Sequence, residues 1–378
     1  MTSTNYQVAI IGGGLGGLTL AIQLANKGYS CILFEKNKYP FHRVCGEYIS
    51  MESWNFLETL GLNLSLQQLP KINQLRVSSP SGKLLTCELD LGGFGISRYS
   101  LDNQLKELAI QKGVCLLDGC KVQNVRFQNS GFTIQSGAGD YTSDICIGAW
   151  GKLSNMDTNI ERKYYGELNK KEENYVGIKY HVKLNFPADQ IELHNFENGY
   201  CGISKIEGDA YCMCYLTAAK NLKKYNGNIK KMEGEVLMKN PILRNYFSEA
   251  TFLFDEPLAI SQIRIGYKGA VEKELLLIGD AAGNIAPLSG NGMSMAMRSS
   301  KHLVGLLDNY FTKKITRTEL NNSYEQFWKK QFKKRIQMSS VLQQLLKNKT
   351  LTNITISLLN CFPVLKRAVV KSTHGKPF

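Results

Sequence analysis

Val8-Ala-Ile-Ile-Gly12-Gly-Gly14-Leu-Gly-Gly17, followed eighteen residues later by Glu35 at the end of Leu33-Phe34, reads as strand, tight glycine turn, helix, strand and acid. That order is the signature of a dinucleotide site. Gly12 permits the sharp turn out of the first strand, Gly14 lets a pyrophosphate approach the backbone, and Gly17 lets the helix Leu18–Lys27 lie close on the sheet. The helix N-terminus presents free N–H groups and a partial positive charge to phosphate. Glu35, with Lys36 beside it, stands where a carboxylate accepts both hydroxyls of an adenosine ribose. An acid there disfavours a 2′-phosphate, so FAD or NAD fits better than NADP. The fingerprint alone leaves FAD and NAD open.

A distant stretch separates the two. Glu274-Leu-Leu-Leu-Ile-Gly279-Asp280-Ala-Ala-Gly-Asn-Ile-Ala-Pro287-Leu-Ser-Gly290-Asn-Gly292 predicts a buried parallel strand that ends in Gly-Asp, then a glycine loop opening a helix over Met293–Leu307. Asp280 suits a ribityl hydroxyl. Gly290 and Gly292 bring the helix N-terminus up to a flavin, where N–H groups stabilise negative charge on the reduced ring.

With both motifs in view, the chain resembles the FAD-dependent p-hydroxybenzoate hydroxylase superfamily from about residue 5 to about residue 310. Gly279-Asp280-Ala-Ala-Gly and Arg43-Val-Cys45-Gly46-Glu47 are similar to its geranylgeranyl reductase-like branch. The resemblance implies FAD contacts from Arg43 and from Arg98 in Arg98-Tyr-Ser-Leu101-Asp102-Asn-Gln-Leu105, and Pro287 in the loop beside the ring. It also implies an α/β fold: a Rossmann-type FAD-binding domain (1–68, 98–160 and 262–310), an interleaved, mainly antiparallel substrate domain (69–97 and 161–261) and a C-terminal helical region (311–378).

Departures from the family limit what carries over. Many hydroxylases end the strand near residue 148 in Ala-Asp-Gly-x-x-Ser-x-x-Arg, whereas this chain reads Gly148-Ala-Trp150-Gly-Lys-Leu153-Ser154-Asn-Met-Asp157. NAD(P)H is therefore one candidate electron donor among several. The aromatic motif of the lipid reductases and the Trp-x-Trp-x-Ile-Pro of the halogenases are missing, and Gly199-Tyr200-Cys-Gly-Ile-Ser204-Lys205 stands instead.

The resemblance leads first to a monooxygenase that hydroxylates a small hydrophobic aromatic molecule through a flavin C4a-hydroperoxide. The alternatives are a reductase of isoprenoid or lipid double bonds, with Cys45, Glu47 and Tyr200 as catalytic candidates, and a non-enzymatic flavin-bound scaffold. Ser204, Lys205 and His194 could orient a phenol, although a lone His in a strand is more often core or surface.

Composition frames the setting. Ten scattered cysteines without ligand spacing predict reduced core residues of a cytoplasmic protein and no metal site, with Cys45 the exception. Met1–Gln7 lacks the apolar stretch of an export signal, and no run of eighteen apolar residues exists. The net charge of +14 is uneven: residues 301–378 hold fifteen Lys and Arg against three Asp and Glu. A helix from about Glu319 to Lys347 sets Tyr324, Phe327, Trp328, Phe332, Ile336, Val341, Leu342, Leu345 and Leu346 at helical spacing, and a second apolar run covers Ile354–Val370. Packing of the first helix on the flavin domain with solvated lysines is the favoured reading. Peripheral contact with an anionic membrane is the alternative, and no motif for nucleic acid accompanies the basic residues.

Overall fold

A computed structural model describes residues 4–152, 154–162, 174–345, 349–373 and 375–378. Leu153, residues 163–173 of the predicted substrate domain, and Leu346 and Lys347 of the predicted C-terminal helix lie outside the described residues.

The apolar runs Val8–Ile11 and Cys31–Phe34 have no polar face, so they belong inside a parallel sheet covered on both sides. Thr4–Ile11 lies between Cys31–Phe34 and Gly139–Gly148, parallel to both, with Ile10 opposite Leu33 and Ile147. Cys115–Leu117 extends the sheet on one side and Leu275–Leu277 on the other, both parallel. The hairpin Val122–Gln128 and Gly131–Ser136 is attached antiparallel to Gly139–Gly148.

Helix Leu15–Asn26 covers one face of this sheet, starting at Gly14 without any side-chain cap. It packs against helix Gly292–Phe311 through small contacts. A Cβ added at Gly16 would stand 3.5 Å from that of Ala296, and the hydroxyls of Thr19 and Ser300 are 2.8 Å apart. The two glycine loops thus open two helices that touch.

A second, nine-stranded sheet runs in the order Thr251–Phe252, Tyr175–Lys183, Tyr211–Ala218, Gly199–Lys205, Gln190–Phe196, Lys71–Ser78, Leu84–Gly95, Tyr48–Ser50, with Leu258–Ile263 also on Tyr175–Lys183. Its pairings are antiparallel except Gln190–Phe196 against Lys71–Ser78. One detail corrects the sequence reading. Tyr48–Ser50 falls within the range 1–68 assigned to the flavin domain, yet it pairs with Leu84–Gly95 of the second sheet. Tyr175–Lys183 is buried along its length except at Lys183, because its two faces are covered by different layers. Helices Ile229–Glu235 and Pro241–Glu249 take one face, the latter capped by Asn240 with Pro241 in its first turn.

Helix Arg317–Leu345 buries Tyr324, Trp328, Phe332 and Ile336 at i, i+4, i+8 and i+12, against the flavin side of the molecule. Tyr324 Oη donates to Leu277 O at 2.9 Å, and the Trp328 ring sits over Gly283, where any Cβ would collide with it. Lys329, Lys330, Lys333 and Lys334 face solvent. Two further helices, Lys349–Cys361 and Pro363–Thr373, fold back against Leu84–Gly95. No single helix among the described residues is long and apolar enough to cross a membrane.

Candidate active site

The two motifs converge at the carboxyl ends of the parallel strands. At the first, Gly12 has φ +114°, and a Cβ there would overlap the Ala149 carbonyl. A Cβ on Gly17 would overlap the carbonyl of Gly12, so helix and turn are in backbone contact. Gly14 differs: only Arg98 Nη2, at 3.6 Å, lies near the place of its missing side chain. The uncapped first turn of Leu15–Asn26 leaves N–H groups for a pyrophosphate.

Glu35 is buried at the end of its strand, where Oε2 accepts from Gly13 N and Oε1 from Asn37 N, both at 3.0 Å. Lys36 beside it points to solvent. Arg43 ties this end together: Nη2 donates to Glu35 Oε2 at 3.0 Å and to Gly13 O at 3.1 Å, and Nε to Asp102 Oδ2 at 2.8 Å. Arg98 holds the same Asp102 through Nε at 2.7 Å and Nη2 at 2.8 Å. Burial opposes the Arg98 charge, but Asp102 outweighs it and raises the pKa. Asp102, four residues after Arg98 in its motif, is the shared anchor of both arginines.

At the second motif, Gly279 has φ +60° and Gly290 φ +65°. The Asp280 carboxylate stands 3.8 Å from where a Cβ on Gly292 would be, at the mouth of helix Gly292–Phe311, and it accepts no hydrogen bond among the described residues. Asn291 caps that helix without bonding to it. It is fully buried, and both its Oδ1 and Nδ2 are unpartnered, the condition of a group shaped to meet the donors and acceptors of a ring system. Pro287 starts the turn Pro287–Ser289 beneath it. An uncapped glycine cradle at one end and an orphaned buried amide at the other fit FAD.

Lys268 approaches from below, donating to Lys152 O at 2.9 Å and Asp280 O at 3.1 Å; burial pushes its pKa down to about 8. Asp157, at the position where the resemblance leads one to expect an arginine, is buried and paired with buried Arg162 at 2.8 Å while accepting from Trp150 Nε1 at 3.1 Å. Arg162 goes on to hold Ala281 O at 2.8 Å. We expect Asp280→Ala to weaken FAD about tenfold, the worth of one hydrogen bond to a charged group, without lowering the melting temperature. Fluorescence titration of the apoprotein measures it, and unchanged affinity removes Asp280 from the site.

Between the two motifs lies the Arg43–Glu47 loop. Glu47 has φ +57°, the left-handed region, and is fully buried. Oε1 accepts from Lys179 Nζ at 2.6 Å and from Arg98 N at 2.7 Å, and Oε2 lies 2.6 Å from His181 Nε2. Burial alone would raise the Glu47 pKa, but the His181 hydrogen bond and the Lys179 charge hold it below the usual carboxylate value. Lys179 also donates to Arg43 O at 3.2 Å, and the Cys212 thiol to Cys45 O at 3.2 Å. Glu47, His181 and Cys212 are close enough to ligate a metal, yet the Lys179 ammonium already neutralises that carboxylate. Lys179, His181 and Cys212 escaped the sequence reading. Their signal was a Lys and a His two apart on one face of an otherwise apolar strand.

Cys45 Sγ contacts Met293 Sδ at 3.6 Å, which places the loop against the start of helix Gly292–Phe311. Burial pushes the Cys212 thiol well up and the Cys214 thiol up to about 12, so both stay protonated at neutral pH. Tyr200 is buried on the second sheet, in a pocket lined by Tyr175, Leu216, Leu288 and Gln343; burial, with Cys214, Cys201 and Cys45 adding to it, raises its pKa well above 10. Leu288 belongs to the turn that precedes Asn291, so the pocket adjoins the second glycine loop. His194 does not face it. Its Nδ1 is 2.8 Å from Ser78 Oγ and its Nε2 is 2.7 Å from Glu192 Oε2, a core network on the far side of the sheet. Ser204 Oγ bonds Gly46 O at 3.4 Å, and Lys205 lies over the Tyr211 ring.

Residues 5–109 match a family model described as an FAD binding domain. The chain is similar to Conditioned medium factor receptor 1 of Dictyostelium discoideum, 23% identical over 89% of this chain and 70% of that protein. It is also similar to the FAD-dependent monooxygenase ntnA of a Nectria species, 24% identical over 80% of this chain but only 44% of that protein. Among solved structures, a geranylgeranyl bacteriochlorophyll reductase-like protein of Thermoplasma acidophilum superposes with a TM-score of 0.80 at 17% identity, over 98% of this chain and 96% of that one.

Proposed function

We propose that this chain, an FAD-dependent oxidoreductase of the p-hydroxybenzoate hydroxylase superfamily, hydroxylates a small hydrophobic aromatic molecule. The observation that carries the reading is the buried Asn291 amide, both of its polar atoms unpartnered, beside the Pro287–Gly290 turn at the end of the site suited to a flavin ring. The similarity to an FAD-dependent monooxygenase supports it.

In this reading Gly12, Gly14 and the first turn of Leu15–Asn26 hold the pyrophosphate, Glu35 the adenosine ribose and Asp280 the ribityl chain. Arg43 and Arg98, fixed by Asp102, neutralise the phosphates. Gly279, Gly290, Asn291 and Gly292 frame the ring. When bound, FAD supplies electrons and reactivity towards O2. One oxygen atom enters the substrate and the other leaves as water, with two electrons from an external donor such as NAD(P)H.

The chain itself contributes shape and protons. The buried side chains of Tyr175, Tyr200 and Leu216 close this end of the site against water, and the Tyr200 hydroxyl stays protonated. Glu47 is a positioning residue, because its ionised carboxylate fixes the Cys45 loop through Lys179 and Arg98 N and has no proton to give. The protonated thiols of Cys212 and Cys214, close to Cys45, favour a second reading as a reductase of isoprenoid-type double bonds, in which a thiol returns the proton.

Incubating the reduced holoprotein with phenols and prenyl lipids, with and without air, separates the two. Oxygen uptake matched by hydroxylated product is expected. Alkene saturation without oxygen establishes the reductase instead.

A further inference from the structure

We propose that the C-terminal helices form a docking surface for an anionic lipid bilayer, lying in its interface without crossing it. Three observations carry this independently of the reaction catalysed.

The first is an outward apolar face. Helix Arg317–Leu345 turns Ile336, Ser339 and Gln343 inward, yet Met338, Val341 and Leu345, at i, i+3 and i+7, are all exposed. The helix Lys349–Cys361 repeats the pattern. Thr352, Ile356 and Leu359 are buried, the latter two on Leu85 of the second sheet, while Leu351, Ile354 and Leu358 form an exposed stripe. Phe362, at 54% exposure, and Val364, at 83%, continue it across the bend into Pro363–Thr373. Solvent does not select two apolar stripes on one helix, of which only one meets protein.

The second is charge. From Gln326 to Phe378 the chain has eleven Lys and Arg and no Asp or Glu. Arg367 and Lys371, at i+3 and i+7 from Val364, are exposed on the same helix face. A protein partner would need a complementary acidic and apolar face, whereas an anionic bilayer offers both properties everywhere, about fivefold in affinity per basic side chain (~1 kcal/mol each).

The third is anchorage. The helix pair Lys349–Cys361 and Pro363–Lys371 is bent by 113°, so it does not make one straight span. Its inner side is fastened by Asn360 Nδ2 to Leu84 O at 2.9 Å and by Lys366 Nζ to Thr86 O at 2.9 Å. Beyond it, Phe378 N donates to Glu52 O at 3.2 Å, with Arg298 stacked on the Phe378 ring. The exposed stripe is thereby held outward on a fixed base.

Sedimentation of the FAD-loaded full chain with phosphatidylcholine vesicles, with or without 30% phosphatidylserine, tests the proposal. Binding to the serine-containing vesicles at least tenfold stronger than to neutral ones, and weakened by high salt, is expected. Ile354→Glu with Val364→Glu should abolish it, and Arg367→Glu with Lys371→Glu should remove the lipid preference, flavin content and melting temperature staying at wild-type values. Absence of vesicle binding, or equal binding by the Ile354→Glu and Val364→Glu variant, overturns the proposal. So does a concentration-dependent dimer split by that variant, which assigns the face to a second copy. Resistance to alkaline carbonate extraction assigns it to a membrane span.

Discussion

Gly14→Glu yields a folded protein that purifies colourless and stays so after soaking in FAD. The backbone at Gly14 is extended, with φ −87° and ψ −175°, a conformation open to any residue, and only the Arg98 guanidinium lies near its missing side chain. A glutamate therefore fits the fold. Its carboxylate, however, would pair with Arg98 and stand where the pyrophosphate must lie. Two like charges ~4 Å apart at a protein surface repel by about 4 kcal/mol, roughly a thousandfold in affinity. Absorbance at 450 nm relative to 280 nm, read with a circular dichroism melt, measures both halves of the expectation. A yellow variant defeats it. Gly12 allows no such separation of binding from folding, because a side chain there meets the Ala149 carbonyl in a left-handed backbone.

Glu47→Gln destabilises the protein by about 3–5 kcal/mol, the cost of leaving one partner of a buried ion pair uncompensated. The uncompensated partner is Lys179, fully buried and 2.6 Å from the lost charge. Adding Lys179→Met to that variant recovers much of the loss, since no charge is then left buried. The pH dependence follows from the signs. Glu47 has a lower pKa folded than unfolded, so its contribution is present above about pH 4.3 and disappears as pH falls through the folded value. For Lys179, burial lowers the pKa, but the Glu47 charge and its hydrogen bond outweigh it and raise the value overall. Its contribution is therefore present below about pH 10.4 and lost at higher pH. Urea denaturation from pH 3 to 8 should show the acid limb flattened in Glu47→Gln. An unchanged limb, or a loss below 1 kcal/mol, means the pair does not hold the loop.

The parts of the site legible from sequence are those in which backbone conformation demands glycine or a strand end demands an acid. Gly17 and Glu35 are of this kind, because they meet Gly12 and Gly13 close by in the chain, and Gly12 is marked by its left-handed turn although it meets the distant Ala149. The helix Arg317–Leu345 was legible for a similar reason: a buried stripe at fixed spacing has a single inward face. What remained hidden depends on chain segments that meet only after folding. Lys179 and His181 reach Glu47 across more than 130 positions, and no local pattern announces that meeting. Arg162 pairs with Asp157 from five residues further on, a contact that a motif read in register does not show. Gly199 and Gly202 dilute the β propensity of Gly199–Lys205, which is nevertheless a strand paired on both sides.

The close packing of helices Leu15–Asn26 and Gly292–Phe311, through Gly16, Ala296 and the Thr19–Ser300 pair, gives the cleft the character of a calliper. Its two jaws are set by helix backbones too near one another to slide. A mononucleotide meets one jaw only, while a molecule with an adenylate at one end and a tricyclic ring at the other meets both.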